Sequence, residues 1–515
     1  MEASTISDLS KPGHGTNIEM LEDAANHDIP PTKNENAFAG HAQRSLSKRP
    51  EEKRLVLKLD LILMPLCCLI YFVAYLDRNC IGNARLMGLE EDLSLTPNQF
   101  YNCLTMFFVG YIICMFPGNV GLRLPWMTAP ALIGGGVLTF GAFCAGIGGA
   151  QNYATVLVLR VLIGCAQAFI QGLGLYLSFW YKRNELASRS AVFYSAATIA
   201  GAFSGLISYG ISKHLTLERT GLSPWRWLFI VEGVLAVAVG ITVILVIPNF
   251  ADRMKKLKTW LLSEAELKLA IERSKDYNTT GANIDMWQVW ACFKDPKSWM
   301  FAIINAGVAL GIASVGNFLP TFVKSFGYSA DKAQLFTVIP YACAAVFLIA
   351  ICFLSDRYNM KGPLLVVTLS VSVIGYIILL SVRSVPVLVF ATCLITAGLY
   401  PSVILLTSWL GINTCGFTKR GTTWAMAEVF GQCFSIMGTH VYDSPPRFIK
   451  GHAIVLGFLS MAIIMTVSAV FWMKHENKRK DAEIERYRDS GEHHPHFERS
   501  LEDEGDQHIA FRYIL

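Results

Sequence analysis

The sequence predicts an all-α membrane protein: twelve spanning helices in two halves of six. Three observations carry this. Apolar residues fill 53% of the 515 positions and charged ones only 16%, against roughly 25% charged in a soluble domain. A spanning helix takes about 20 apolar residues, so this stock supplies about twelve spans with little left for a separate soluble core, and the mean hydropathy of +0.41 agrees. The third observation is the layout, in which apolar runs come in two sets of six parted by a polar stretch.

Residues 1–57 are polar, rich in Ser, Asn, His, Pro and charge without apolar period, and are expected to be a disordered cytosolic tail lacking the plan of a signal peptide. Six runs follow at about 58–84, 98–119, 126–148, 153–180, 190–212 and 226–248. The stretch 249–297, with Asp252, Arg253, Lys255, Lys256, Lys258 and Glu264, is read as a central loop. Six more runs occupy 298–320, 333–354, 363–382, 386–409, 421–442 and 452–473, and 474–515 reads as a second soluble tail. Lys53, Arg54, Lys58, Arg189, Arg357, Lys361, Lys419 and Arg420 all fall on one side, which the positive-inside bias makes cytosolic together with both termini. That places the sequon Asn278-Thr279-Thr280 in the cytosol, where it stays bare. Two six-helix halves joined by a long loop form the architecture of a secondary transporter, with its site between the halves near mid-membrane.

The net charge of +5 is not gathered into a basic domain, so no nucleic-acid partner is expected. Most of the thirteen cysteines, Cys67, Cys103, Cys144, Cys343 and Cys393 among them, fall inside apolar runs and read as small buried hydrophobes. No metal-ligand cluster and no nucleophile motif stands in a span, so neither a metal, a cofactor nor an enzymatic reaction is expected. The partners expected are the bilayer, a small solute and protons, and a monomer is expected.

An ionised side chain at bilayer depth costs about 2.5 to 3.5 kcal/mol on insertion scales and needs a partner or a wet cavity. Asp77 and Arg78 lie far along the first run, which heads outward; Arg160 lies near the outer end of the fourth, which heads inward. They therefore share a depth. Gln167 follows Arg160 by seven residues, on the same helix face and about 10 Å further inward. Together they can line a polar path, with a guanidinium fork suited to a carboxylate. The structural alternatives are a plain ion pair between Asp77 and Arg160, or an interfacial position for Asp77 and Arg78. Glu232 and Glu428 are the other intramembrane acids, as proton carriers or as hydrogen-bonded structural groups. His440 and His452, near outer helix ends, read as solvated or packed. Tyr400-Pro401 is read as a break in its helix that frees carbonyls toward a cavity or, equally, as a simple packing kink; Gly201, Gly205 and Gly210 are expected to permit close helix approach, and Trp225, Trp227, Trp299 and Trp472 to anchor span ends at the interface.

Ser355-Asp356-Arg357-Tyr358-Asn359-Met360-Lys361-Gly362 resembles the acidic and basic loop motif of the major facilitator superfamily, and Gly121-Leu122-Arg123 is its degenerate copy in the first half. Asp77-Arg78-Asn79 with Ile81-Gly82-Asn83-Ala84, the run Trp225 to Gly233, and Phe318-Leu319-Pro320-Thr321 leading to Gly327-Tyr328-Ser329 are similar to the fungal anion:cation symporters of that superfamily, in the allantoate permease branch. Gly398-Leu399-Tyr400-Pro401 with Trp409 and Asn413, and Thr418-Lys419-Arg420, extend the match over about 58–473. The resemblance implies the major facilitator fold and proton-coupled uptake of a small organic anion, a carboxylate such as nicotinate, pantothenate or allantoate, across a plasma membrane. It further implies that Asp77, Arg78, Arg160 and Gln167 bind the carboxylate and carry protons, with Arg160, Arg78 and Gln167 at the substrate and Asp77 at the proton; Glu428 and Glu232 join in proton coupling only as intramembrane acids, and Asp356 and Arg357 belong to the loop motif, a conformational one. Gln167 departs from the family, whose members carry an ionisable Glu there. Export of an acidic metabolite and a transporter-like nutrient sensor are the alternatives.

Overall fold

The computed structural model describes residues 50–121, 127–181, 183–250, 262–275, 286–415, 417–490 and 505–515. The tail before residue 50, the sequon at 278–280, and Leu122-Arg123 lie outside them. Residues 1–56 and 57–515 are two units, and the apolar spans belong to the second.

The described residues are helical throughout, without a strand. The first half comprises α1 (Pro50–Leu86), α2 (Pro97–Gly121), α3 (Ala129–Ile147), α4 (Tyr153–Ala168), α5 (Arg183–His214) and α6 (Pro224–Val246). The second comprises α7 (Pro296–Ser325), α8 (Val338–Tyr358), α9 (Gly362–Ser381), α10 (Val385–Ile412), α11 (Phe417–His440) and α12 (Ile449–Ser490). Ten helices of the described residues are long and apolar enough to cross a membrane. The other two, α2 and α11, have 25 and 24 residues and pack inside the bundle. The predicted fold class is borne out.

Local chemistry starts and stops these helices. Asn152 caps α4 by accepting from the Thr155 amide at 2.9 Å, and Asp295 caps α7 by accepting from Lys297 at 3.0 Å. Asn359 ends α8 in the left-handed region at φ 49°. Helix α4 gives way to a single 3-10 turn, Phe169–Gln171, before helix resumes at Gly172–Ser178. Pro401, by contrast, sits inside an unbroken α10, so of its two readings the break is absent; its lost amide bond is tolerated because the segment is buried in protein. The polar stretch between the halves contains helices Glu264–Lys275 and Met286–Lys294.

Two glycines set the crossings that shape the site. A Cβ on Gly164 of α4 would run into the Phe107 carbonyl of α2, so only glycine lets these helices touch there. A Cβ on Gly201 of α5 would meet the Tyr341 ring of α8, which brings the halves together. Gly205 meets Thr337 in the same way, whereas Gly210 faces open space and has no such role.

The stretch read as a second soluble tail is helical to Ser490, and residues 505–515 pack onto the second half. There the Asp506 carboxylate takes the ammonium groups of Lys297 and Lys419, all three being buried. Trp409 Nε1 and Asn413 Nδ2 donate to the Ile514 carbonyl at 2.8 and 2.9 Å, and the Lys361 amide donates to Leu515 at 2.9 Å. Burial acts to raise the Asp506 carboxyl, but Lys297 and Lys419 more than offset it and hold it at about 2.

Candidate functional site

Asp77 and Arg78 come from the last third of α1, Arg160 and Gln167 from α4. Arg160 Nη1 lies 3.9 Å from Asp77 Oδ2, and both side chains are about 2% exposed or less. Gln167 joins them: its Nε2 donates to Asp77 Oδ2 at 2.8 Å, and its Oε1 accepts from Arg78 Nε at 3.2 Å. A neutral amide donates from one end and accepts at the other, so it bridges a carboxylate and a guanidinium at once. A Glu there could repeat this only with a proton on its Asp77-facing oxygen.

The Arg78 guanidinium is half-buried and lies 5.0 Å from the rings of Tyr75 and Tyr111 and 5.3 Å from that of Phe107, a cation–π cage that leaves its outer edge toward the space between the halves. Arg160 lies 5.4 Å from the Phe229 ring, and its Nε and Nη2 are buried without a hydrogen-bond partner. Two such donors are costly to leave unmet, at about 1 to 3 kcal/mol each.

A cavity of about 1230 Å³, counting its open mouth, lies between the halves. Arg78, Arg160 and Gln167 line it from the first half and Glu428 from the second. Asp77 and Glu232 stand behind this lining. Glu232 of α6 is buried with neither oxygen hydrogen-bonded, beside Cys80 and within electrostatic reach of Asp77 and Arg160. The structure thus gathers six of the predicted residues around one region. Asp356 and Arg357 are elsewhere, exposed at the end of α8, where Asp356 pairs with Lys361 at 2.8 Å.

The cavity is closed at one end. Tyr101 Oη donates to the Tyr442 carbonyl at 2.8 Å, the Thr105 and Thr439 hydroxyls meet at 2.7 Å, Ser212 reaches Gln334 at 3.2 Å and Lys213 pairs with Asp331 at 3.0 Å. These bonds cross between the halves at the end away from residues 505–515, so the mouth faces the end that carries them. His440 belongs to this closed end, 3.2 Å from Thr105 Oγ1, and His452 is packed among Phe322, Tyr376 and Tyr442. Trp225 is fully buried and donates to Asp92 at 2.8 Å, which corrects its reading as an interface anchor.

Sequence reasoning passed over Tyr71 and Tyr75, which share a face of α1 with Arg78, and Gln432 and Ser435, which share a face of α11 with Glu428. In both cases the spacing is i, i+4, i+7, a helical polar stripe that a search confined to charges does not see. Gln171, in the 3-10 turn, donates to the Tyr111 hydroxyl. Among the described residues no group of three or more His, Cys, Asp or Glu is arranged to hold a metal ion.

Residues 67–439 match the model of the Major Facilitator Superfamily. The chain belongs to that superfamily. Among its relatives, the facilitator is 32% identical over 473 residues to the high-affinity nicotinic acid transporter of Saccharomyces cerevisiae, covering 90% of this chain and 85% of that one. It is 28% identical to the major facilitator-type transporter hxnP of Emericella nidulans, covering 91% and 93%. In fold it is similar to a bacterial homologue of the human lysosomal transporter Spinster, solved inward-facing and occupied, with TM-score 0.58 at 14% identity over 82% of this chain and 98% of that one. A D-xylose-proton symporter gives TM-score 0.58 at 14% identity, over 78% and 96%. The facilitator is a multi-pass membrane transporter.

Proposed function

We propose that this transporter is a proton-coupled importer of a small organic anion, in the allantoate permease branch of the fungal anion:cation symporters, working in the plasma membrane with both termini cytosolic. The observation that carries the reading is Arg160, a buried guanidinium on the cavity wall whose Nε and Nη2 lack partners and whose nearest carboxylate is 3.9 Å away. A substrate carboxylate supplies the missing acceptors in bidentate geometry. The likeness to a transporter named for nicotinic acid supports a carboxylate cargo.

In this reading Arg160 and Arg78 hold the substrate, and Asp77 carries the proton. Substrate arriving beside the arginines competes with the Asp77 charge, so loading and protonation are linked. Glu232, packed behind Asp77, and Glu428, across the cavity, are the secondary acids. The test is uptake of a panel of labelled carboxylates at varied external pH, with and without a protonophore. Uptake of at least one that rises with external acid and stops with the protonophore supports the reading. No carboxylate uptake, or net loss from preloaded cells, sinks it.

Gln167→Glu is expected to steepen the acid stimulation of uptake and add one proton per anion, because the bridge between Arg78 and Asp77 then needs a protonated carboxyl. Reversal measurements in reconstituted vesicles check this. An unchanged stoichiometry at equal protein level removes position 167 from coupling.

A further inference from the structure

The helix Met286–Lys294, just before α7, divides its side chains between two faces. One face is held by α11: Gln288 Oε1 accepts from the Lys419 amide at 3.1 Å, and the buried Cys292 thiol donates to the Lys419 carbonyl at 3.2 Å. The other carries Met286, Trp287, Trp290, Phe293 and Lys294, whose spacings of three, four and seven make one stripe of an α-helix. Its four apolar members are 61, 70, 61 and 47% exposed in that order, and Lys294 Nζ lies 5.9 Å from the Trp287 ring. An exposed stripe of aromatic rings beside a lysine has the composition of a segment that meets a membrane surface.

Its place in the fold names the partner. The helix runs into α7 through the Asp295 cap. With 30 residues, α7 is about 45 Å long at 1.5 Å per residue, against about 30 Å of hydrocarbon, so its ends reach the headgroups. At this end Asp295, Lys297, Lys419 and Asp506 are bonded into one charged cluster, which suits headgroup depth and not the hydrocarbon. The stripe continues onto the bundle through Trp299, whose Nε1 donates to the Phe293 carbonyl at 2.8 Å and whose ring meets Phe430 of α11 edge-on. We propose that this stripe is seated in the lipid surface on the mouth side of the transporter, with Trp287, Trp290 and Phe293 at the acyl edge and Lys294 among the phosphates. The seating does not depend on the cargo. Because the helix is bonded to the start of α11 and continues into α7, which carry Glu428 and Asn305 to the cavity, the leaflet holds both of these cavity-lining helices at their mouth ends.

The experiment is tryptophan emission from the full-length transporter in phosphatidylcholine vesicles, wild type against the double variant Trp287→Phe with Trp290→Phe, which keeps the stripe aromatic. The difference between the two spectra is the emission of these two rings. It is recorded in plain vesicles, in vesicles whose acyl chains are brominated next to the headgroup, and with iodide on both sides of the membrane. Loss of most of the difference emission in the brominated vesicles is the expected result. Little loss there overturns the proposal, and iodide then says what the stripe faces instead: quenching by iodide puts the rings in water, and protection from both quenchers puts them against protein, such as a second copy of the chain. If the double variant does not fold, Trp290→Phe alone reports on one ring by the same criteria. None of these outcomes bears on carboxylate uptake, so the cargo reading stands or falls separately.

Discussion

Arg160→Lys abolishes most uptake while the protein still reaches the membrane in normal amount: this is the expected result for a guanidinium that holds the substrate by its fork. Lysine keeps the charge, so its interaction with Asp77, already long at 3.9 Å, is largely preserved. What it removes is the pair of parallel N–H donors, because an ammonium is a point charge on a flexible stem. Losing a buried charge-assisted contact costs about 2 to 5 kcal/mol, or roughly 30-fold to several thousand-fold in affinity. The measurement is the half-saturating concentration of a transported carboxylate, alongside surface biotinylation. Near-wild-type affinity in the lysine variant rules out the anchoring role, whatever the maximal rate.

Asp77→Asn separates movement of substrate from its concentration. The side chain keeps its shape, and its remaining oxygen still accepts from Gln167 Nε2, now 2.8 Å from Asp77 Oδ2. It can no longer take or release a proton. Counterflow of labelled against unlabelled substrate should continue, whereas accumulation driven by a pH gradient should vanish. A gradient of one pH unit stores about 1.4 kcal/mol per proton, enough for about ten-fold accumulation with one proton per neutralised anion, so the inside-to-outside ratio is expected to fall from about ten to one. A variant that still concentrates substrate moves the coupling role to Glu232 or Glu428, and the same measurement on Glu232→Gln then decides between them.

The helices were legible because burial in lipid and packing against neighbours both demand apolar side chains, and runs of about 20 such residues have no other common use. The polar path of Asp77, Arg78, Arg160 and Gln167 was legible because charge at depth is rare. The aromatic lining was not: Tyr75, Tyr111, Tyr194 and Tyr400 come from α1, α2, α5 and α10, and a tyrosine in a span reads equally as packing. Trp225 was misread because distance from a helix end does not reveal which way a side chain is rotated. The 3-10 turn at Phe169–Gln171 carries no proline and its glycines lie just beyond it, so tertiary packing rather than local propensity sets it. In residues 505–515 the alternation of Ile509, Phe511 and Tyr513 is a signal only once there is a surface for it to cover.

Residues 505–515 have a mechanical consequence. Through Asp506, Tyr513, Ile514 and Leu515 this short segment is bonded to Lys297 at the start of α7, Lys361 at the start of α9, Trp409 and Asn413 at the end of α10, Lys419 at the start of α11 and Asn477 in α12. Five helices are strapped at one end. Relative sliding among them would have to break several of these bonds at once, so the second half is stiffened as one lever, and what it can shift against the first half are the contacts of α5 with α8 and of α2 with α11. The strap also withstands acid. The Asp506 carboxyl is held at about 2, below its usual value near 4, so its stabilising contribution is full at neutral pH and is lost only as pH falls from about 4 toward 2. Acidification that stays above about pH 4 leaves the lever stiff.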